Sequence, residues 1–369
     1  MNARSSSATA GSSKLSPVSW IESLSPWPQD GFGLERIREL LRKLGDPQDA
    51  YPSIHVVGTT GKGTTTRTIE ETLAREGLLV GAYYSPHVRG WAERIRVGGR
   101  EADFEHAIER VRTEAESVGA TQFEVLTAAA FVEFAAARAE LAAVEAGLGG
   151  RFDATNVLFA PVVVLTNVAL EHTDVLGDTR EAIANEKLAV VRPGATVVVG
   201  EPEWEDAAFA AGARRVVVAT GGNPALAAAA CEVFLGRAVE PVAVELPWRL
   251  ERRGDQIWDG AHTPGAVRFI APQLPAVRAI VASVLRDKDV DGILRLLGEI
   301  APLLVATQSS NPRAVSAPEL ARQARPYFEH VEALDDPVAA RERALAVPGD
   351  GVVLVTGSLY LLADLSSSD

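Results

Sequence analysis

Apolar and polar residues along this chain repeat with two periods. Leu34, Ile37, Leu40, Leu41 and Leu44 recur at helical spacing, and Gly45-Asp46-Pro47 closes that segment. The apolar run Ser53 to Val57 reads as a strand, leads into a glycine-rich turn, and is followed by a helical pattern from Thr65 to Glu76. Leu78 to Tyr84 is a second strand, and Arg94 to Val97 with the turn Gly98-Gly99 predicts a hairpin. Ala102 to Val118 and Phe123 to Arg138 are helices. Leu141 to Ala146 is a short apolar strand interrupted by one acid, Glu145. Pro161 to Thr166 is a largely β-branched run of the kind buried on both faces of a parallel sheet. A helix at Thr179 to Val191 and a strand at Thr196 to Val199 follow. From Gly200 to Glu245 the alanine-rich pattern predicts only one element, a helix at Asn223 to Leu235.

Pro247-Trp248-Arg249 reads as a domain junction, after which the alternation starts again. Strands are expected at Gln256 to Trp258, Ala279 to Val284, Leu303 to Thr307 and Val352 to Thr356, with helices between them. Strands alternating with helices predict doubly wound α/β sheets, whose ligands collect at the carboxyl ends of strands. The segments around Gly61, Ser85, Glu145 and His172 all fall at such ends.

The turn Gly58-Thr59-Thr60-Gly61-Lys62-Gly63-Thr64 combines uncovered backbone N–H groups, the start of a helix and a lysine point charge. Together these make a cradle for a nucleotide triphosphate. Its glycine spacing is irregular: the usual phosphate loop has its first glycine where Val56 stands. Ser85-Pro86-His87 follows a strand, where the Ser85 hydroxyl is either a Mg²⁺ ligand or a local turn residue. A carboxylate at Glu145 in an apolar strand needs a divalent cation or an arginine to offset its burial. His172 is a metal ligand or a satisfied loop histidine. Lys187 lies inside a helix beside Glu186, a position where lysine is usually a solvated face residue. Asp259 closes a strand in Asp259-Gly260-Ala261-His262 and suits a ribose or a metal, while Arg249 either reaches phosphate or pairs on the surface.

Composition narrows the partners. A chain of 369 residues predicts two domains. The 36 basic and 49 acidic side chains leave a net charge of −13, which argues against nucleic acid or an anionic membrane as a partner. Cys231 is the only cysteine, which suits a reducing compartment, and no apolar run reaches the ~20 residues of a membrane span. The Ser/Ala-rich residues Met1 to Ser16, and Ser366 to Asp369, read as disordered tails.

Further segments complete an ordered set: Tyr84-Ser85-Pro86-His87, Glu93-Arg94-Ile95-Arg96, Glu145-Ala146-Gly147-Leu148-Gly149-Gly150-Arg151, Asp153-Ala154-Thr155-Asn156, Thr166-Asn167, Glu171-His172-Thr173, Glu186-Lys187, Asp259-Gly260-Ala261-His262, Asn311-Pro312-Arg313 and Thr356-Gly357-Ser358-Leu359-Tyr360. With the cradle, they resemble the folylpolyglutamate synthase/dihydrofolate synthase family, the folate branch of the Mur ligase superfamily, over about residues 33 to 360. The resemblance implies an α/β architecture: a P-loop-containing, Mur-ligase-like central domain built on a mostly parallel doubly wound sheet, and a smaller Rossmann-like C-terminal α/β domain. The expected boundaries are 1–16 for a tail, 17–246 for the ATP-binding domain and 247–365 for the glutamate-ligase domain.

The activity implied is that of an ATP-dependent amide ligase. It would add L-glutamate to dihydropteroate, to (poly)glutamylated tetrahydrofolate, or to both, through an acyl phosphate. ATP and Mg²⁺ are the implied cofactors, and the chain is expected to act as a cytoplasmic monomer on small molecules, without nucleic acid or membrane. By the resemblance, Gly58, Thr59, Thr60, Gly61, Lys62, Gly63 and Thr64 form the phosphate loop, and Ser85, Glu145 and His172 match the magnesium ligands. Lys62, His172 and Lys187 match the catalytic groups, with Lys187 at the lysine that the family carbamylates. Asn223, Arg249, Asp259 and His262 match positions holding ATP between domains, with Asp259 near the ribose.

The chain departs from the family pattern in four places. Thr60 stands where the family usually has Asn, and Thr263 stands where it has the Asn before Pro264. Ala219-Thr220 lies near the place of a His-Gln pair, and the stretch from Gly200 to Asn223 is short. The rivals are another Mur-type amino-acid ligase, such as one acting on a UDP-linked muramyl precursor, a regulatory module that senses ATP without ligating anything, and, because of the missing His-Gln pair and the short central stretch, a catalytically weakened ATP-binding paralogue. Tyr84-Ser85-Pro86-His87 and the short stretch Met1 to Leu44 argue against the first, and the full metal-ligand set argues against the second.

Overall fold

The computed structural model describes residues 15–28, 31–87 and 90–367. Two sheets organise it. The first contains β1 (Ser53–Val57), β2 (Val80–Tyr83), β3 (Ile95–Val97), β4 (Arg100–Glu101), β5 (Leu141–Glu145), β6 (Val162–Leu165), β7 (Thr196–Val199) and β8 (Arg215–Val218), in the order β4-β3-β2-β5-β1-β6-β7-β8. All its pairs from β2 to β8 are parallel, and β3 and β4 add an antiparallel hairpin at one edge. The second contains β9 (Glu251–Arg253), β10 (Gln256–Trp258), β11 (Val277–Ala282), β12 (Leu303–Ala306), β13 (His330–Ala333) and β14 (Val352–Thr356), in the order β13-β12-β11-β14-β10-β9. Only β9 runs antiparallel there.

Strand parity decides what each face carries. Ile54 and Val56 of β1, and Leu141 and Ala143 of β5, pack on one face against Ile69 and Leu73 of the helix Lys62–Arg75 and Leu226, Ala227 and Ala230 of the helix Gly222–Leu235. Ala142 and Val144 point to the other face, against Phe131 and Phe134 of the helix Gln122–Ala137. Glu145 shares parity with Leu141 and Ala143, so its carboxylate is delivered to the face of the helix Lys62–Arg75. β1 is flanked by β5 and β6, the place where chain order reverses, and the glycine-rich turn leaves its carboxyl end over that crevice.

Several expectations are corrected. The helix after the turn begins at Lys62, three residues before Thr65, with Gly61 in the left-handed region at its start. Leu15 and Ser16 are tied down rather than loose: the Leu15 carbonyl accepts from Arg112, and Ser16 caps the helix Pro17–Ser23, which the sequence did not suggest. Ser366 closes the helix Leu359–Ser366 and Ser367 caps it, so the C-terminal tail is shorter than expected, and 1–14 and 368–369 lie outside the described residues. Strands β8, β9 and β13 went unpredicted. All three are edge strands with partly exposed residues: β9 is wholly polar, β13 alternates over only four residues, and the β-branched run Val216-Val217-Val218 of β8 lay unread within the alanine-rich stretch.

Candidate active site

The turn after β1 is held from behind. Gly58 has φ +146°, and a Cβ there would lie 1.9 Å from Thr166 Oγ1; Gly61 has φ +80°, and its Cβ would lie 2.4 Å from Asn223 Oδ1. No other residue type fits either position without displacing those side chains. Asn167 Oδ1 accepts from Thr60 N–H at 3.0 Å and from the Thr60 hydroxyl at 3.1 Å, while the Thr60 carbonyl accepts from Thr166 Oγ1 at 2.7 Å. Thr60 therefore anchors the loop where the family usually has Asn. Lys62 Nζ folds back onto the Gly58 and Thr59 carbonyls at 3.0 and 3.2 Å.

Glu145, 5% exposed, ends β5 beneath this turn. Burial pushes its carboxyl up to about 6, against the pull of Lys62, a hydrogen bond from Ser85 N–H at 3.0 Å, and Arg249 and Arg94. Gly63 gives it room, since a Cβ there would meet Glu145 Oε2 at 3.3 Å. His172 sits at φ +46° before the short helix Thr173–Leu176, exposed at the rim. Burial lowers the pKa of its ring, and Glu171 opposes that shift.

Lys187 corrects the expectation of a solvated face. Its side chain is 1% exposed, and Nζ donates to Glu171 Oε1 at 2.7 Å and to the Gly58 carbonyl at 2.8 Å. Burial pulls its pKa down to about 8, against the stabilising charge of Glu171. Glu171 belongs to a segment the sequence singled out, yet nothing there assigned it a role; its pairing with Lys187 emerges only in three dimensions.

The second sheet faces the first across a cleft of about 340 Å³. From the carboxyl end of β10 come Asp259 and His262, from the turn before β9 comes Arg249, and from the loop after β11 comes Lys288. All the expected site residues line this cleft except Gly58 and Lys187, which lie just behind it, bonded to each other. Lys288 was missed by sequence reasoning, where Asp287 and Asp289 on either side disguise it as ordinary surface charge. His262 Nδ1 contacts the Gly260 carbonyl at 2.7 Å, so Nδ1 carries the proton and neutral Nε2 is free to accept. Thr263, the other substituted family position, caps the helix Pro264–Ile270 by accepting from Ala266 N–H at 3.2 Å. Ala219, Thr220 and Asn223 border a shallower cavity of about 350 Å³ with Arg268 and Phe269.

Beside the cleft, and sharing Leu148 with it, lies a second pocket of about 200 Å³ walled by Trp27, Phe32, Phe123 and Phe152. Its polar residues include Glu124, Asp153 and Glu186. Asp153 is fixed by N–H groups of Leu148 at 2.8 Å and Thr155 at 3.0 Å, and the Thr155 hydroxyl in turn meets buried His55 at 2.8 Å. Burial drives the His55 pKa down to about 3, so the ring stays neutral. This pocket was not anticipated, because alternation patterns do not register aromatics from separate stretches of the chain.

A phosphate-loop sheet whose strand ends face those of a second parallel sheet across a basic, carboxylate-bearing cleft defines an ATP-dependent Mur-type ligase. The Mur ligase middle domain profile matches residues 56–223, and the Mur ligase glutamate ligase domain profile matches residues 248–359. The dihydrofolate synthase/folylpolyglutamate synthase of Escherichia coli is 32% identical over 409 residues, covering 96% of this chain and 95% of that protein. Among solved structures, the E. coli enzyme in complex with DHPP and ADP superposes with a TM-score of 0.84 at 28% identity, covering 96% and 97% of the two chains. A bifunctional folylpolyglutamate synthase/dihydrofolate synthase with Mn, AMPPNP and L-glutamate bound gives 0.82 at 29% identity, covering 95% and 96%. The chain belongs to the dihydrofolate synthase/folylpolyglutamate synthase family. Among the described residues no helix is long and apolar enough to cross a membrane.

Proposed function

We propose that this chain uses ATP to activate the carboxylate of a pterin-bearing acceptor and joins it to the amino group of L-glutamate. The observation that carries this reading is the convergence of Lys62, Glu145, Arg249, His262 and Lys288 on one cleft whose wall, at Leu148, is also the wall of an aromatic pocket. The acceptor carboxylate attacks the γ-phosphorus and ADP departs. The glutamate amine then attacks the acyl carbon, and the tetrahedral adduct collapses to amide and phosphate as the nitrogen loses its proton. The backbone N–H groups of Gly61 to Thr64 face the β- and γ-phosphates where charge develops, and the Lys62 ammonium turns to them from the Gly58 and Thr59 carbonyls. Asn223 sits against Gly61 and braces the loop.

Ser85, Glu145 and His172 would hold the divalent cation, which neutralises phosphate charge and polarises the transferring phosphoryl group. The donor set fits Mg²⁺: an anionic oxygen, a hydroxyl and one imidazole, with phosphate oxygens to complete it. Glu145 is a buried carboxylate held well above its ordinary range, the state that a bound cation would relieve. Lys187, with an amine that burial brings toward neutrality, is suited to react with CO₂, and the carbamate would add an anionic oxygen to the same site. Arg249, Asp259 and His262 approach the nucleotide from the second sheet.

The aromatic pocket takes the pteridine. Its flat walls stack a fused ring, and Glu124, Asp153 and Glu186 are acceptors for the amino and ring N–H groups of a pterin. The division between the ATP-binding and glutamate-ligase domains falls at residues 246/247, and the enzyme works as a cytoplasmic monomer. Incubation with ATP, Mg²⁺, L-glutamate and either dihydropteroate or tetrahydrofolate, followed by mass analysis, tests the reading. A product heavier by one glutamyl residue, with one ADP per bond, is expected from at least one acceptor. ATP binding without such a product would mark the chain as a catalytically weakened paralogue.

A further inference from the structure

His55 stands in the middle of β1, in register with Val144 of β5 and Val163 of β6. Its parity is opposite to that of Ile54 and Val56, so the ring leaves the sheet on the face away from the helix Lys62–Arg75. The phosphate turn makes no use of it there. An imidazole 1% exposed costs free energy unless a polar group meets it, and that group is the fully buried Thr155, whose Oγ1 lies 2.8 Å from His55 Nε2.

Thr155 joins His55 to Asp153. Its N–H and its hydroxyl both donate to Asp153 Oδ1, at 3.0 and 2.5 Å, and the Leu148 N–H donates to Oδ2 at 2.8 Å. Burial raises the Asp153 pKa, and these donors oppose that by favouring the carboxylate. A hydroxyl has one proton to give. With that proton on the bond to Asp153, Thr155 Oγ1 can only accept from the histidine, so the neutral ring carries its hydrogen on Nε2. The hydrogen bonds therefore run one way, from His55 through Thr155 to Asp153, and Asp153 lines the aromatic pocket.

We propose that His55 is a positioning residue for the pterin-bearing acceptor: through the Thr155 hydroxyl it holds Asp153 as an oriented hydrogen-bond acceptor in the aromatic pocket, without touching the acceptor itself. A hydroxyl that accepts one hydrogen bond donates the next more strongly, and its rotor is fixed. Without the histidine donor the Thr155 hydroxyl is free to turn, and Asp153 loses a fixed partner while the groups around the phosphates stay in place. The inference rests on the assignment of this pocket to the pteridine.

His55→Leu removes the donor at similar volume, and His55→Gln restores one, because its amide nitrogen reaches the place of Nε2. Steady-state kinetics on the full chain with dihydropteroate or tetrahydrofolate should show the KM for the acceptor raised about three- to tenfold in His55→Leu, the worth of one net hydrogen bond, with kcat and the KM for ATP within about twofold of the wild type. His55→Gln should recover most of that loss. ATP is the control for packing: β1 runs directly into the phosphate turn, so a merely structural fault in the strand would weaken both substrates together. Thr155→Val breaks the chain of bonds at its middle, so in that background His55→Leu should add no further loss. Nitrogen-15 NMR of the histidine-labelled, ligand-free wild type should show His55 with its hydrogen on Nε2. Four results would overturn the proposal: an acceptor KM that His55→Leu leaves unchanged, an equal rise for ATP, an undiminished loss in the Thr155→Val background, or a ring with its hydrogen on Nδ1. A wild type that binds ATP but neither pterin compound overturns the pteridine reading of the pocket and this role with it, whereas acceptor binding that ignores His55→Leu overturns the inference alone.

Discussion

Glu145 lies where a change of pH or of one atom has a calculable effect. Burial raises its carboxyl from 4.5 to about 6 despite the opposing influence of Lys62, the Ser85 N–H, Arg249 and Arg94. At about 1.4 kcal/mol per pH unit, holding this group ionised in the metal-free protein costs about 2 kcal/mol. The folded chain binds the proton more tightly than the unfolded chain, so stability falls as pH rises from about 4.5 to 6 and the full cost remains above that window. Without metal, Glu145→Gln should therefore be more stable than the wild type at pH 7.5, by up to about 2 kcal/mol, and the two should converge near pH 4.5. Mg²⁺ with nucleotide should reverse the order at pH 7.5, because the cation needs the ionised carboxylate. Below pH 6 the wild-type Mg²⁺ affinity should drop roughly tenfold per unit, since each binding event must displace a proton. Chemical denaturation and Mg²⁺ titration between pH 4.5 and 8, on both proteins, measure these quantities. A metal-free variant less stable than the wild type at pH 7.5, or a flat Mg²⁺ affinity across pH 5 to 7, would refute the assignment of Glu145 to the metal.

Other perturbations test separate parts of the site. Lys187→Ala should lose most turnover and regain part of it with formate or acetate, which place a carboxylate where the carbamate would be; no rescue removes the carbamate from the mechanism. Gly61→Ala should fold but bind ATP at least about tenfold more weakly, as its Cβ would strike Asn223 Oδ1 in a backbone conformation that alanine resists; nucleotide titration measures the loss. Cys231, fully buried, with burial pushing its thiol up to about 12, should resist iodoacetamide at pH 8 while the chain stays folded. Rapid labelling with full activity retained would show that the helix Gly222–Leu235 opens readily.

The strands of the first sheet that carry chemistry were legible because both of their faces are buried. Ser53–Val57, Leu141–Glu145 and Val162–Leu165 are buried at every position, and a mainly apolar run between turns records that. Glu145 stood out for the same reason, as a polar residue in a run that should have none. Edge strand β9 has no such signature and β13 alternates over only four residues, while Ser16 caps a helix inside a Ser/Ala-rich stretch that composition alone assigned to a tail. The aromatic pocket escaped notice because Trp27, Phe32, Phe123 and Phe152 come from three separated stretches and share no period. Asp259 was placed correctly at a strand end, but its hydrogen bonds run to backbone groups, which leave no trace in side-chain identity.

Lys187 shows most clearly what spacing leaves out. On a helix of mixed polarity a lysine next to a glutamate predicts a solvated pair, and Glu186 does behave so, reaching Arg151 at the surface. One position further round the helix the side chain points inward, and Gly150 permits the approach: a Cβ there would lie 2.5 Å from the Lys187 carbonyl. The buried ammonium then has two acceptors, Glu171 and the carbonyl of Gly58, the first residue of the phosphate turn. With a pKa near 8, about one molecule in ten carries the neutral amine at pH 7. Converting that amine to a carbamate exchanges a cation paired with Glu171 for an anion beside it, which is unfavourable unless a divalent cation enters the same space. The modification and the metal would therefore support each other, and the bond to Gly58 ties both to the turn that receives the phosphate.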